Sequence, residues 1–491
     1  MMAYMNFLDV READNWHYRG EGAANLVLAY NGSDPALIGK VLRLRKLVGN
    51  AGKLSHGAKE TPILLPEEQI LWAEWPRMAA ATSTAELNHA YIGDVLRPLL
   101  GDKHVDPGSL VDVSRSFVEA LNRNIAHRRP AWRAETGSLI LSSGIGLLIS
   151  DHSSFSIPRD ILTEMPPTIT VEIKPKCGFL PVFPVMNEDN LIKTIVSRFA
   201  MHQTLKLSQG KIKNISKYSP LDLFSGSESG IYKAICDLFM TPQNNLRIFC
   251  NGKEVFGEFD DTSTSPEEAR VQLENVLGEF LPSGAEGPVV AFQKLISHLL
   301  FRSNVLKKLL IVQKLDVVDI EGSIQAYEMF LKHLKSSAPH SGVQESTPNG
   351  KITATTGSPP QQTNLLNGTL HVNEPRKHTK VPRTFEECRT IIRDFLISAT
   401  AKDCGIMLTL LPVGSMMSDD ISLPGSYVVT YSGRQYLHKV HLLDLDVKQL
   451  KKLPHYFQLD KEIVTAYRSC SCMDSSFSTP LPDCVVSSED S

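Results

Sequence analysis

The chain has 491 residues, 42% apolar and 21% charged, with 51 Lys and Arg against 54 Asp and Glu and a net charge of −3. These values exclude a wholly disordered chain, a histone-like polycation and a membrane-coating surface, and the length calls for two or three packed lobes. Any basic site must therefore be a local concentration of cations.

In chain order, the start "MMAYMNFLDVREAD" has no basic segment followed by a long apolar run, so no secretory leader is expected. From Trp16 to about Arg45, glycines and apolar runs alternate as in consecutive strands, with turn chemistry at "NGSDP", and predict a β-rich amino-terminal lobe over 1–152. Within it, Gly20 and Gly22 bracket Glu21, where backbone N–H groups meet a phosphate with no Cβ in the way. A plain hairpin turn has the same glycines. The following strand, "GKVLRLRK", sets Arg43 on one face with Val41 and Arg45, and Leu42 and Leu44 on the other. A glycine turn followed by a cation on a later strand is the order of a nucleotide-binding lobe.

Helices are predicted around Pro66–Met78, Ala85–Leu100 and Val111–Arg123, then a strand at "SLILSS" or "GLLIS". "HRRPAWR" adds Arg128, Arg129 and Arg133 beside Trp132. In "TITVEIKPK", period two puts Thr170, Glu172, Lys174 and Lys176 on one face, and Pro175 ends the strand or marks a sheet edge. Two like charges so placed need solvent or a polyanion to offset their repulsion. A long helix is expected from about Asn187 to Leu207, with Arg198, His202 and Lys206 as a basic stripe. Such a stripe is also what a solvated helix face looks like. Further helices are expected at Ser229–Met240, Ser265–Glu279 and Val289–Lys314, and "PQNNLRIF" offers Asn244 and Arg247.

Residues 336–382 are poor in large apolar side chains and rich in Ser, Thr, Pro, Gly and Asn, as in a disordered insertion. A helix follows over Thr384–Thr400, then strands at "IMLTLL", "SYVVTYS" and "HKVHLLDLD". Asp403 stands just before the first of these and Asp444 just after the last. Phosphoryl transfer needs one carboxylate to orient or deprotonate a hydroxyl and another to hold Mg²⁺. A strand-end aspartate is also an ordinary turn former. Lys448 and Lys452 follow, four apart, then Tyr456. A mobile tail is expected over 468–491, and Cys470 and Cys472 have no second pair or histidine nearby for a metal. The eight scattered cysteines suit a reducing, cytoplasmic setting, with the nucleus also open, and no apolar run nears the roughly 20 residues of a membrane span.

"RGEGAANLVL", "VEIKPKCGFLP", "RFAMHQTLKL", "YSPLDLFSG", "TPQNNLRIF", "DIEG", "ATAKDCGIM" and "DLDVK" occur in an order that resembles the inositol-pentakisphosphate 2-kinase family, in a plant-like form. The likeness runs from about Trp16 to Tyr467. It implies an α+β fold, divergent protein-kinase-like and two-lobed, with an inositol-phosphate-binding region inside the 153–467 lobe. It further implies ATP-dependent phosphorylation of the axial 2-hydroxyl of inositol pentakisphosphate to give inositol hexakisphosphate. On matching positions, Gly20, Glu21, Gly22, Ala24, Asn25 and Arg43 would meet the nucleotide, with Ser150 and His152 at the hinge and Glu172 and Arg247 nearby. Arg133, Lys174, Lys176, Lys206, Asn244, Lys448, Lys452 and Tyr456 would hold the inositol phosphate. Asp403 would be the base and a further Mg²⁺ ligand, and Asp444 the principal Mg²⁺ ligand.

No structural zinc is expected, because no cysteine lies between Cys250 and Cys388. Lys452 stands where a relative carries arginine, and offers a point charge instead of a fork. A monomer is expected, without nucleic-acid or membrane partners. Two other readings stay open at this point. One is a non-catalytic polyphosphate receptor, which would not need both aspartates. The other is a protein kinase, against which stands the absence of HRD and DFG tripeptides.

Overall fold

Apolar side chains at every second position of residues 25–44 bury Leu26, Leu28, Leu42 and Leu44 completely, so these segments pair as strands with one face inward. The computed structural model describes residues 7–22, 24–47, 63–130, 140–141, 144–155, 167–182, 188–257, 265–282, 284, 286–337, 384–413 and 427–474. Arg133 and nearly all of the 336–382 segment lie outside these residues, as does the tail beyond Asp474.

The first sheet holds β1 (Phe7–Leu8), β2 (Trp16–Glu21), β3 (Asn25–Tyr30), β4 (Lys40–Leu47), β5 (Ser109–Val113), β6 (Ile140–Leu141) and β7 (Gly144–Ser150). Its order is β1-β5-β7-β4-β3-β2, with β6 on β4, and all pairs but β1 with β5 are antiparallel. The Arg115–Ile125 helix covers it through Phe117 and Leu121, which are fully buried. The second sheet holds β8 (Ile169–Ile173), β9 (Leu246–Cys250), β10 (Lys253–Phe256), β11 (Gly405–Val413), β12 (Tyr427–Tyr431) and β13 (Arg434–Leu443), in the order β10-β9-β8-β11-β13-β12. The chain is thus of mixed α/β class, with two sheets and many helices.

Helices over 64–105, although they precede residue 152, share their core with the second sheet. Polar bonds reinforce this: Tyr91 Oη donates to Thr400 Oγ1 at 3.2 Å, and Leu442 N–H to the His104 carbonyl at 2.8 Å.

Several expected elements are cut differently. The helix expected over 187–207 is a 3₁₀ segment, Glu188–Thr194, then an α-helix, Arg198–Ser208, which begins anew because Ser197 Oγ accepts the Ala200 N–H. The helix expected over 289–314 breaks at Asn304, whose φ of +59° ends Pro288–Ser303 and starts Val305–Gln313. The first three residues of the expected Val111–Arg123 helix, 111–113, belong instead to strand β5. The last helix, Leu453–Asp474, continues past the expected start of the tail. No helix among the described residues is long and apolar enough to cross a membrane.

Candidate active site

Strand β8 is central, between β9 and β11, and its Ile169, Val171 and Ile173 are fully buried. Pro175 lies just past the strand's end at Ile173 rather than at a sheet edge. The chain then turns through Lys176, whose φ of +62° is uncommon for a residue with a Cβ. That turn ends the alternation and separates the two lysines. Lys174 stays beside Glu172, whereas Lys176 reaches Asp403 at 3.4 Å.

Asp403 is the last residue of the Phe385–Asp403 helix, and its carboxylate also accepts from Lys448 Nζ at 2.8 Å. Its side chain is 58% exposed. Its surroundings work against ionisation, but the ammonium groups of Lys448 and Lys176 outweigh this and hold the carboxyl below the ordinary carboxylate value. The two acids flank the paired strands β11 and β13, where Gly405 lies opposite Leu443, so both emerge at one end of the sheet. The short β12 stands between these strands in sequence and on the outer edge in space. Asp444 is exposed and, like Lys176, has a left-handed backbone, φ +58°.

Lys176, Arg198, His202, Lys206, Asp403, Lys448 and Tyr456 line one cleft of about 330 Å³. The sequence stripe on the Arg198–Ser208 helix thus forms a wall of this cleft, and does not face only solvent. His202 shows how crowded the cations are: burial first, then Arg198, Lys206, Lys176 and Lys211, push its imidazole down to about 4. The floor holds a second charged group. Lys193, 3% exposed, is surrounded by Asp319, Glu321 and Asp460, at 3.2 Å from Glu321 and 2.7 Å from Asp460. Burial opposes its charge, yet Asp319 and Asp460 keep its pKa raised.

Lys174, Asn244 and Lys452 are not in this cleft lining. Asn244 and Lys452 are exposed, and Lys452 lies in a 3₁₀ turn that begins after Lys448, so the two lysines do not share a helix face.

On the other side of Asp444, a Cβ built on Gly20 or Gly22 meets nothing within 4 Å, so the glycine turn faces open space. Glu21 turns away from that space. Its carboxylate, without exposure, binds Lys46 at 2.6 Å and Arg129 at 2.8 Å. The Glu21 side chain and Arg129, one of the arginines of "HRRPAWR", are thus committed to each other. Arg43 donates two bonds, of 2.7 and 2.6 Å, to Asp446, which also accepts from Asn25 at 3.2 Å. Asp446 was not singled out in the sequence; its one signal is its place two residues after Asp444 at the strand exit. Ala24 also lies at this turn, where its carbonyl accepts the Lys46 N–H.

At the end of β7, Ser150 Oγ accepts from Lys40, and the His152 ring stacks on His441 with centroids 3.8 Å apart. The His152 carbonyl accepts a bond from Thr409 Oγ1. Glu172 pairs across the strands with Arg247 and Met407. Burial raises its pKa; Lys174 and Arg247 lower it, and Asp444 adds to the rise.

The structure thus brings Asp403, Lys176, Lys206, Lys448 and Tyr456 to one cleft, and sets Arg43, Asn25 and the glycines on the first sheet against the β13 exit. A family model for inositol-pentakisphosphate 2-kinase matches residues 18–462. The chain belongs to that family. It is 37% identical over 463 residues to inositol-pentakisphosphate 2-kinase of Arabidopsis thaliana, covering 94% of each chain. It is 39% identical over 462 residues to that of Oryza sativa subsp. indica, covering 93% of this chain and 94% of the relative. The zebrafish (Danio rerio) enzyme of the same name is 28% identical over 514 residues, again with 94% of each covered. As a member of this family the chain is a phosphotransferase.

Proposed function

We propose that the protein transfers the γ-phosphoryl group of ATP to the axial 2-hydroxyl of inositol pentakisphosphate, giving inositol hexakisphosphate, on a divergent protein-kinase-like two-lobe frame. The observation that carries this reading is Asp403, half exposed between Lys176 and Lys448 at a cleft whose wall is Arg198, His202 and Lys206. A five-phosphate ring carries a charge near minus ten if each group contributes roughly two negative charges. Cations converging from distant segments match such a ligand, and Tyr456 adds a hydroxyl to the same lining. Arg133, Lys174, Asn244 and Lys452 are assigned to the same ligand by family likeness alone.

On the nucleotide side, Gly20, Gly22, Ala24 and Asn25 form a turn open to phosphate, and Arg43 offers its fork in exchange for Asp446. Ser150 and His152 meet adenine, and Glu172 with Arg247 lies along the path to the phosphates. The donor set of Asp444, with Asp403 as a further oxygen ligand, is all carboxylate and suits Mg²⁺. Glu172 is consistent with this, because burial and the neighbouring Asp444 keep its carboxyl raised despite Lys174 and Arg247, and a cation there would relieve it. When bound, Mg²⁺ neutralises charge that develops on the transferred group.

The residues of the chain do the rest. Lys176 and Lys448 hold Asp403 ionised and ready to orient the acceptor hydroxyl. As substrate phosphates draw these two ammonium groups away, the carboxylate becomes a stronger base and can take the hydroxyl proton. Transfer through a loose transition state asks mainly for such positioning. Incubation with ATP, Mg²⁺ and a panel of inositol phosphates, with NMR of the products, tests the proposal. A new phosphate at any position but C2, or none, would refute it.

A further inference from the structure

Lys176 and Asp403 come from segments 227 residues apart, yet the arrangement above needs both held in place. Neither is well placed to hold itself. Lys176 sits at a left-handed backbone position that a non-glycine residue keeps only when its surroundings fix it. Asp403 ends a helix, where the last carbonyls lack intrahelical partners.

One side chain bonds both segments. Gln313, the last residue of the Val305–Gln313 helix, is completely buried. Its Nε2 donates to the Lys176 carbonyl at 2.9 Å and to the Ala401 carbonyl, two residues before Asp403, at 3.2 Å. Its Oε1 accepts the Gly178 N–H at 2.8 Å. Every polar atom of the amide is thus used, and all three bonds go to backbone. The loop is closed from its other side as well: Tyr218 Oη donates to the Pro175 carbonyl at 2.8 Å, and a Cβ on Gly178 would lie 2.1 Å from the Phe224 ring. Ser398, one turn earlier on the Asp403 helix, donates its hydroxyl to the Gln313 carbonyl.

We propose that Gln313 is a positioning residue of the phosphotransfer centre, its amide setting the separation of Lys176 and Asp403 by bonding the backbone of both segments. It touches neither substrate nor nucleotide, and acts only through those two residues. An amide is suited to this, since it alone among uncharged side chains of this size supplies two donors and an acceptor in one plane. The inference rests on Lys176 and Asp403 belonging to the reacting centre.

The test is full-length Gln313→Met, which keeps the volume and removes all three bonds, beside Val312→Ala, a cavity variant at the neighbouring, fully buried position. Melting temperature, kcat and both KM values are measured for each. A displacement of about 1 Å at a reacting centre lowers turnover about 100-fold, so Gln313→Met is expected to lose about 10- to 100-fold in kcat, with KM for ATP unchanged. Val312→Ala is expected to lose stability with kcat intact. An unchanged kcat in Gln313→Met, or an equal loss in Val312→Ala at equal melting temperature, overturns the proposal. If Gln313→Met does not fold, Gln313→Glu, which keeps the size and the acceptor for Gly178, is judged by the same two outcomes. Asp403→Asn is run in parallel: if that variant stays active, it is the reading of the centre that fails, whereas Asp403→Asn inactive with Gln313→Met active overturns only the role of Gln313.

Discussion

Two sets of charges line the same cleft and are balanced in opposite ways. In the floor, Asp319 and Asp460, with Glu321 outside the lining, surround the ammonium of Lys193, all at low exposure. At the mouth, two ammonium groups, Lys176 and Lys448, share the one carboxylate of Asp403, with Arg198, His202 and Lys206 nearby. Arg198 also leans on Asp460 at 3.3 Å and so links the two sets. The floor meets its acids with cations of the chain itself. The mouth carries more cations than carboxylates of the chain to balance them.

That contrast breaks most sharply at Asp403. Asp403→Asn is expected to lower kcat about 10²–10⁴-fold while inositol pentakisphosphate still binds. Turnover together with calorimetric affinity checks this, and lost binding with residual turnover would contradict the division. Next comes the floor. Lys193→Met takes the ammonium from Asp319 and Glu321 and leaves Asp460 with Arg198 alone, and is expected to cost about 3–5 kcal/mol of stability, read from urea unfolding; a cost under about 1 kcal/mol would show that these pairs do not hold the fold.

Lys448→Ala removes one charge-assisted contact, worth about 1.5–3 kcal/mol. It should raise KM for the inositol phosphate, leave unfolding nearly unchanged, and flatten the salt dependence of binding; a large loss of stability would place Lys448 with the floor. The smallest effect concerns acid. His202 is held down to about 4 from an ordinary 6.5, so the unfolded chain binds the extra proton between these values. The stability this residue contributes is therefore full above about pH 6.5 and declines as pH falls toward 4. His202→Asn should show a shallower fall of melting temperature over that window than the unsubstituted chain, and parallel curves would rule the residue out.

Much of this was legible in the residues themselves. Glycines alternating with apolar runs pointed to consecutive strands from Trp16 to about Arg45, period two gave the inward face of β8, and the four-residue stripe on residues 198–206 marked a wall of the cleft. The positions of Asp403 and Asp444 at strand ends followed from the apolar runs beside them. Partnerships across sequence did not. That Arg43 would bind Asp446, or Glu21 be enclosed by Lys46 and Arg129, depends on which surfaces meet after folding. The breaks at Ser197 and Asn304 escaped because the helical periodicity on both sides is intact, and one capping hydroxyl or one left-handed residue decides them. Gln313 gave no signal at all, since its partners are backbone atoms.

Lys176 and Asp444 share a further trait, a backbone twisted to the left where glycine would rest more easily. Selection for heat resistance alone would favour glycine at both places. Such a swap should give a protein that melts later and phosphorylates nothing, as thermal shift beside a turnover assay would reveal; a variant that melts earlier would mean the twist carries no tension. Two of the left-handed non-glycine positions among the described residues thus belong to the proposed centre, so hardening the protein against heat has to begin elsewhere.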